Sequence, residues 1–376
     1  MTAKILRFLE DSRPATPCLV VDLDVVEANY GALRTYLPLA EVFYAVKANP
    51  AAEVVSRLVA LGSSFDCASR GEIEHCLAHG ADPAKISFGN TIKKQADIAW
   101  AYEQGIRLFA FDSDAELAKL AASAPGSKVF CRILVENSGA EWPLSRKFGC
   151  EPAMARRLLA QAGTMGLEPH GVSFHVGSQQ TDLAQWDTAI AAAAQVFREL
   201  AEAGVALKMV NIGGGFPAHY RKDVAAIDAY AGAVMTAMTR HFGNDLPRML
   251  VEPGRSMVGD AGILQAEVVL ISRKSDADDK RWVYLDIGRF GGLAETEGEA
   301  IKYRIVTPHE EGRSGPVILA GPTCDSADIL YEKAGYEMPL ALQVGDRVNI
   351  LATGAYTTTY SAVNFNGFAP LKAYYI

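Results

Sequence analysis

The groups able to do chemistry stand at or near the ends of short β-rich runs. EVFYAVK (41–47) ends in Lys47, SSFDCA (63–68) contains Asp66 and KVFCRILV (128–135) carries Arg132. PHGVSFHV (169–176) carries His175, LKMVNIG (207–213) runs into Gly213, Gly214 and Gly215, and RMLVEPG (248–254) delivers Glu252 and Gly254 just before Arg255. A lysine in an apolar strand snorkels, pairs with a carboxylate or gives up its charge, since burying an isolated ammonium costs several kcal/mol. A Schiff base with a carbonyl cofactor is one way of giving it up. Three successive residues without Cβ make a tight turn or let backbone N–H groups cradle a phosphate. A lysine on the first strand and an arginine after the last favour the phosphate. His175, followed by Gly177 and Ser178, is either a core histidine bonded to a carbonyl or a flat ring against a planar cofactor, with a hydroxyl nearby. The other histidines (His75, His79, His170, His219, His241 and His309) show no converging ligand set, and HCLAH at 75–79 lacks the HExxH glutamate, so no metal is expected. Further on, GPTCDSAD (321–328) puts Cys324 and Asp325 in a turn, and GAYTTTYSAVNFNGF (354–368) carries Tyr356 and Phe365. Cys324 reads as an ordinary buried thiol or as a reactive one beside a carboxylate.

Such residues need a frame that brings strand ends together. The runs above, with KISFGN (85–90) and RLFAFD (107–112), alternate with amphipathic stretches such as AAEVVSRLVALG and LAQWDTAIAAAAQVFRELAEAG, the latter closing on a glycine suited to a C-cap. Eight parallel strands within about 215 residues match the number and size of a closed βα (TIM-like) barrel, whose chemistry sits at the carboxyl ends of its strands. An open doubly wound sheet is the alternative. After residue 258 the texture changes: AGILQAEVVLISRK, RWVYLDIG, GPVILAGP and DRVNILATGAY alternate β-rich runs with turns and predict a C-terminal all-β domain. TPCLVVDL (16–23), a strand with no helix before it, joins that domain. The expected division is a cofactor-binding barrel over 24–258 and a β domain from 1–23 and 259–376.

Composition restricts the partners. The 376 residues are 49% hydrophobic and 21% charged, enough to bury a large core. Lys plus Arg total 36 against 44 Asp plus Glu, a net charge of −8 that disfavours nucleic acid and anionic membranes. Six cysteines without CxxC spacing fit a reducing cytoplasm, and neither a signal peptide nor a long apolar run is visible.

FYAVKANP (43–50), SFHVGSQ (173–179), NIGGGFP (211–217), EPGR (252–255), GPTCDS (321–326) and GAYTTTYSAVNFNGF occur together and in order. With these six motifs the chain resembles the pyridoxal-phosphate-dependent decarboxylases of basic amino acids, built on an alanine-racemase-like barrel plus a β domain, and within them the ornithine decarboxylases, including relatives that also take lysine. The resemblance implies that Lys47 forms the Schiff base with pyridoxal 5'-phosphate, His175 stacks on its ring and Glu252 pairs with the ring nitrogen. It implies that Ser178, Gly213, Gly214, Gly215, Gly254, Arg255 and Tyr356 hold the phosphate, with Asp66 and Arg132 beside the lysine and ring. It also implies a homodimer in which Cys324 and Asp325 reach into the partner's active site, Cys324 to return a proton to the substrate carbon and Asp325 to bind its distal ammonium. Phe365 joins the substrate pocket. The tail-binding stretch departs from the animal-type pattern: IGRFGGLAETEGEAIKYRI (287–305) offers Glu295, Glu297 and Glu299, with Asp286 just before it, and Glu297 is the expected contact.

The expected activity is decarboxylation of L-ornithine to putrescine, with weaker conversion of L-lysine to cadaverine, in polyamine biosynthesis. Diaminopimelate decarboxylase is the enzymatic alternative, but its substrate ends in a zwitterion and demands a cation where this stretch is acidic. A racemase on the same barrel fits the HVGS, GGGFP and CDS motifs less well. A non-catalytic, antizyme-inhibitor-like homologue is the alternative of a different class; such proteins lose cofactor-binding residues that are present here.

Overall fold

The computed structural model describes residues 1–135, 138–142 and 147–376. They divide into two compact units, Glu27–Pro217 with Val224–Gly254, and Met1–Val26 with Ala218–Asp223 and Arg255–Ile376.

The first unit is a closed barrel of eight parallel strands. In chain order they are Ala40–Ala45, Ser64–Cys67, Ile86–Phe88, Leu108–Phe111, Lys128–Arg132, Glu168–Ser173, Met209–Asn211 and Arg248–Val251. Each pairs with the next, and the last closes on the first through Met249↔Ala40, Leu250↔Glu41 and Val251↔Val42. Every segment expected as a barrel strand is one, so the doubly wound alternative falls. Phe43, Leu108, Ala110, Phe130, Met209 and Leu250 form one buried cluster from five of the strands, each large side chain contributing about 1.5–3 kcal/mol by leaving water. Gly171 fits because a Cβ there would stand 2.1 Å from the Met209 carbonyl oxygen.

Helices between the strands start at side-chain caps, as where Ser69 Oγ accepts the Glu72 N–H and Ser113 Oγ accepts the Glu116 N–H. The long helix Ala184–Glu202 ends just before Gly204, whose φ of +82° is the left-handed turn expected from the sequence. A buried ion pair braces the fourth-strand side: Lys93 Nζ lies 3.0 Å from Glu116 Oε1 and donates to the carbonyls of Asn90 and Ala110. Burial pulls this lysine down to about 8. Satisfying the ammonium on three sides offsets the cost of taking it out of water.

The second unit is built on an eight-stranded mixed sheet. Along it run Ile305–Val306, Arg347–Leu351, Gly262–Ser272, Arg281–Leu285, Ser314–Ala320 and Ile329–Pro339, with Cys18–Val21 pairing antiparallel to Gly262–Ser272 and parallel to Lys372–Tyr375. One sequence expectation needs correction: the strand at Cys18–Val21 is preceded by a helix, Ala3–Ser12. Thr2 caps that helix by accepting the Ile5 N–H, and Ile5 and Leu9, one turn apart, bury against Cys18, Val20, Ile263 and Leu351. By contacts, Arg255–Val258 and Ala218–Asp223 group with the sheet. The reason is a charge: Arg255 is paired inside that unit with Glu295 and Tyr220. Among the described residues no helix is long and apolar enough to cross a membrane.

Candidate active site

At the carboxyl ends of the barrel strands the expected polar residues converge. The first strand stops two residues short of the expected end, at Ala45, and Lys47 sits in the 3-10 turn Val46–Ala48, exposed rather than buried in an apolar strand. Asp66 is buried in the second strand, where Ser87 Oγ donates to its Oδ1 at 3.0 Å. Burial raises the Asp66 carboxyl, opposed by the charges of Lys47 and Arg132. Gly89 answers to this carboxylate, because a Cβ there would stand 1.8 Å from Asp66 Oδ1.

Glu252 follows the eighth strand directly. Asn211, at the end of the neighbouring seventh strand, donates through Nδ2 to Glu252 Oε1 and accepts the Gly213 N–H at 2.9 Å. Burial, then the charge of Asp66, push Glu252 up to about 8, against the pull of Asn211, Lys47 and Arg132. Arg132 ends the fifth strand half-buried, its guanidinium 5.2 Å from the centre of the Phe148 ring. A buried Asp66 and a half-buried Glu252 thus feel the charges of Lys47 and Arg132.

His175 lies two residues past the sixth strand. Its Nδ1 accepts the Gly177 N–H at 3.0 Å, which puts the proton of the neutral ring on Nε2. Burial, then the charges of Arg132 and Lys47, hold it well below the ordinary histidine range, so the ring is neutral at physiological pH. Gly213, Gly214 and Gly215 are required by close approach: a Cβ would stand 2.2 Å from the Phe174 oxygen, 2.5 Å from the Glu252 oxygen and 2.6 Å from the Gly177 oxygen, respectively. The glycine run therefore locks the loops after the sixth, seventh and eighth strands together. Ser178 stands half-buried in the short strand Ser178–Gln180, and Gly254 is buried just after Glu252.

The remaining expected residues belong to the sheet unit. Arg255 makes a fork-to-fork pair with Glu295, Nη1 to Oε2 at 2.8 Å and Nη2 to Oε1 at 2.6 Å, with side chains 3% and 5% exposed. Nη1 also donates to Tyr220 Oη at 2.6 Å, and the guanidinium carbon lies 4.9 Å from the Tyr356 ring centre. Tyr356 itself has a φ of +58°, an uncommon conformation for a side chain of that size. Of the acidic candidates, Glu295 is neutralised by this pair. Glu299 Oε1 accepts the N–H groups of Glu332 and Lys333, both at 2.7 Å, and Asp286 accepts the Glu267 N–H at 2.8 Å. Glu297 is exposed.

Cys324 is also exposed, whereas the other five cysteines are buried, and all six are free thiols. Its N–H and its thiol both point to Asn366 Oδ1, at 3.2 and 3.4 Å. Asp325 is exposed beside it and accepts the Ala327 N–H at 2.8 Å. Phe365 packs its ring centre 4.8 Å from that of Phe290 and lines a largely apolar cavity of about 250 Å³ with Phe368, Leu371, Pro322 and Thr323. Sequence reasoning overlooked Asn211, Ser87, Gly89 and Asn366. The first lay inside a motif already singled out, and its place before three glycines was the available signal.

Residues 23–259 match the family model described as pyridoxal-dependent decarboxylase, pyridoxal binding domain. The chain belongs to that family. Its cofactor is pyridoxal phosphate, and amino-acid decarboxylation with basic substrates is the activity of its named enzyme relatives. The lysine/ornithine decarboxylase of Selenomonas ruminantium is 37% identical over 358 residues, covering 95% of this chain and 88% of that enzyme. The solved lysine/ornithine decarboxylase of Vibrio vulnificus, complexed with cadaverine, is 32% identical with a TM-score of 0.88, covering 100% of this chain and 99% of that one. Antizyme inhibitor 2 of Xenopus laevis is also similar, at 33% identity over 95% of this chain and 80% of that protein.

The donor set of this decarboxylase suits the cofactor. A half-buried carboxyl raised to about 8 by burial and by the charge of Asp66 is a partner for a cationic ring nitrogen, whose charge would draw it back to the ionised form. A neutral histidine ring after the sixth strand and a lysine after the first complete the match for a planar carbonyl compound.

Proposed function

We propose that this decarboxylase converts L-ornithine to putrescine as its main reaction, and L-lysine to cadaverine more weakly, in the cytoplasm as a step of polyamine biosynthesis. The observation that carries the reading is the cluster of Lys47, His175 and Glu252 with Asn211, which suits a cationic planar cofactor. Pyridoxal phosphate, when bound, supplies an electron sink for the pair left on the substrate's Cα as carbon dioxide departs. Lys47 Nζ is the amine that would hold the cofactor's carbonyl carbon and give it up to the substrate amine. Glu252 would favour a protonated ring nitrogen, and His175, being neutral, would not repel that charge. Asp66 and Arg132 balance the local charge. Gly213, Gly214, Gly215, Ser178, Gly254, Arg255 and Tyr356 are the proposed phosphate group, with Arg255 held in place by Glu295. Cys324 returns the proton to Cα.

Tail selection rests on Asp325 and Glu297, since Glu295, Glu299 and Asp286 are committed to other partners. One methylene changes discrimination by about 1–3 kcal/mol, so ornithine is expected to outrun lysine by roughly 10- to 200-fold. Diaminopimelate, which brings a carboxylate against acidic residues, is expected to be refused. Competition between equal concentrations of the three substrates tests the order. A preference for diaminopimelate would overturn the cationic-tail argument, and a preference for lysine only the chain-length assignment.

The exposed tip carrying Cys324 and Asp325 supports a homodimer in which each protomer completes its partner's site. Mixing Lys47→Ala with Cys324→Ala protein is then expected to restore roughly a quarter of wild-type activity, because half of randomly exchanged dimers carry one intact site of two. Demonstrated subunit exchange without recovery would place the whole site in one chain.

A further inference from the structure

Asp328 is a buried carboxylate with no part in the chemistry above, 2% exposed. Its Oδ2 accepts both the Thr323 N–H at 3.1 Å and the Thr323 hydroxyl at 2.7 Å, and its Oδ1 accepts the Arg289 N–H at 2.8 Å. The backbone around it is shaped to admit it. A Cβ on Gly288 would stand 2.1 Å from Oδ1, and one on Gly321 would stand 2.3 Å from Oδ2. The same residue closes the loop through its main chain, accepting the Gly321 N–H at 2.8 Å and donating to the Asp325 carbonyl at 3.0 Å. Residues 321–328 therefore fold around one side chain, and the two residues immediately beyond its grip on Thr323 are Cys324 and Asp325.

We propose that Asp328 is a positioning residue for proton return: its carboxylate, by fixing Thr323 and the turn at Gly288 and Arg289, sets where the Cys324 thiol stands. This rests on the reading of Cys324 as the proton donor. Burying a carboxylate among neutral donors is costly, and a small apolar residue could fill the same space. What the carboxylate adds is a double hold on Thr323, backbone and hydroxyl together, which an apolar residue cannot supply.

The consequence is a question of where a proton lands. With the cofactor bound, the electron pair left by carbon dioxide would be open to a proton either at the substrate's Cα or at the cofactor's former carbonyl carbon. A proton on Cα gives the diamine. A proton on the cofactor carbon, followed by addition of water, gives an amino aldehyde and leaves the nitrogen on the cofactor as pyridoxamine phosphate. A displaced thiol shifts the balance toward the second outcome.

The test compares Asp328→Asn, Thr323→Val and Cys324→Ala holoenzymes, measuring the ratio of aldehyde to diamine released and hydrogen exchange at the Thr323 and Arg289 amides. Asn keeps one acceptor oxygen but turns an NH₂ toward an N–H donor, and Val removes the hydroxyl bond only. Exchange at one or both amides is expected to rise about tenfold in Asp328→Asn, the loss of a charge-assisted bond. The aldehyde fraction is expected to rise about tenfold in that variant and several-fold in Thr323→Val, with KM little changed. If Cys324→Ala raises the aldehyde fraction while neither loop variant does, Asp328 is merely structural and the inference fails. If Cys324→Ala leaves the fraction unchanged, the assignment of Cys324 as proton donor fails and takes the inference with it.

Discussion

Replacing Lys47 with alanine is expected to abolish the visible cofactor band and to slow turnover by about three orders of magnitude or more, because one amine both holds the cofactor and displaces the product from it. The side chain stands in a one-turn helix beyond the first barrel strand, with the Tyr44 hydroxyl donating to the Asn49 carbonyl across the same turn, so its removal leaves the backbone support in place. The amine's charge also acts on Asp66 and Glu252, so thermal unfolding of the cofactor-free variant, measured beside wild type, separates chemistry from folding. Borohydride treatment provides the direct check: it should fix the cofactor to Lys47 in the wild type and to nothing in the variant. Near-normal turnover in Lys47→Ala would refute the mechanism. Absence of the band and of turnover in the wild type would instead favour a non-catalytic role, which the similarity to antizyme inhibitor 2 keeps in view.

Glu252→Gln is expected to move two quantities in opposite directions. Turnover falls by about a hundredfold or more, since a neutral amide cannot face the protonated ring nitrogen as a carboxylate does. The cofactor-free protein, however, becomes more stable at alkaline pH. In the fold, burial and Asp66 push Glu252 up to about 8, above its value in the unfolded chain, so the folded state binds the extra proton between about pH 4.5 and pH 8. Stability contributed by the protonated group is fully present below the unfolded value and is lost as pH rises through the folded one. Glutamine escapes that loss. The gain is on the order of 2–5 kcal/mol at pH 8 and close to zero at pH 4, read from urea denaturation of the two cofactor-free proteins. Equal stability at both pH values would mean that Glu252 is not held in a desolvated, like-charged setting. An unchanged rate would give the carboxylate another role.

Much of the molecule was written locally. The eight barrel strands were legible because each is a short β-branched or aromatic run bounded by turn residues, information contained within about eight positions. Lys47, Asp66, Arg132, His175 and Glu252 were legible for a related reason: once the strands are parallel and the barrel closes, polar residues at their carboxyl ends must meet. The helix Ala3–Ser12 was missed although Ile5, Phe8 and Leu9 recur at helical spacing and pack on one cluster. The strand ends slipped by one or two residues at Lys47 and His175, where a 3-10 turn and a loop continue the apolar texture.

Tertiary structure alone decided which charges meet. Glu295, Glu297 and Glu299 are equivalent in a sequence that reads AETEGE, yet one neutralises Arg255, one is exposed and one accepts the N–H groups of Glu332 and Lys333. The kink at Glu297 and Gly298, with ψ of 131° and φ of +59°, sends the three side chains apart. Asn211 against Glu252, and Asp328 against Thr323 and Arg289, are likewise matters of register and turn geometry. Periodicity is set by neighbours a few residues away, whereas the partner of a buried charge here stands up to about 40 positions along the chain and exists only once the chain has closed on itself.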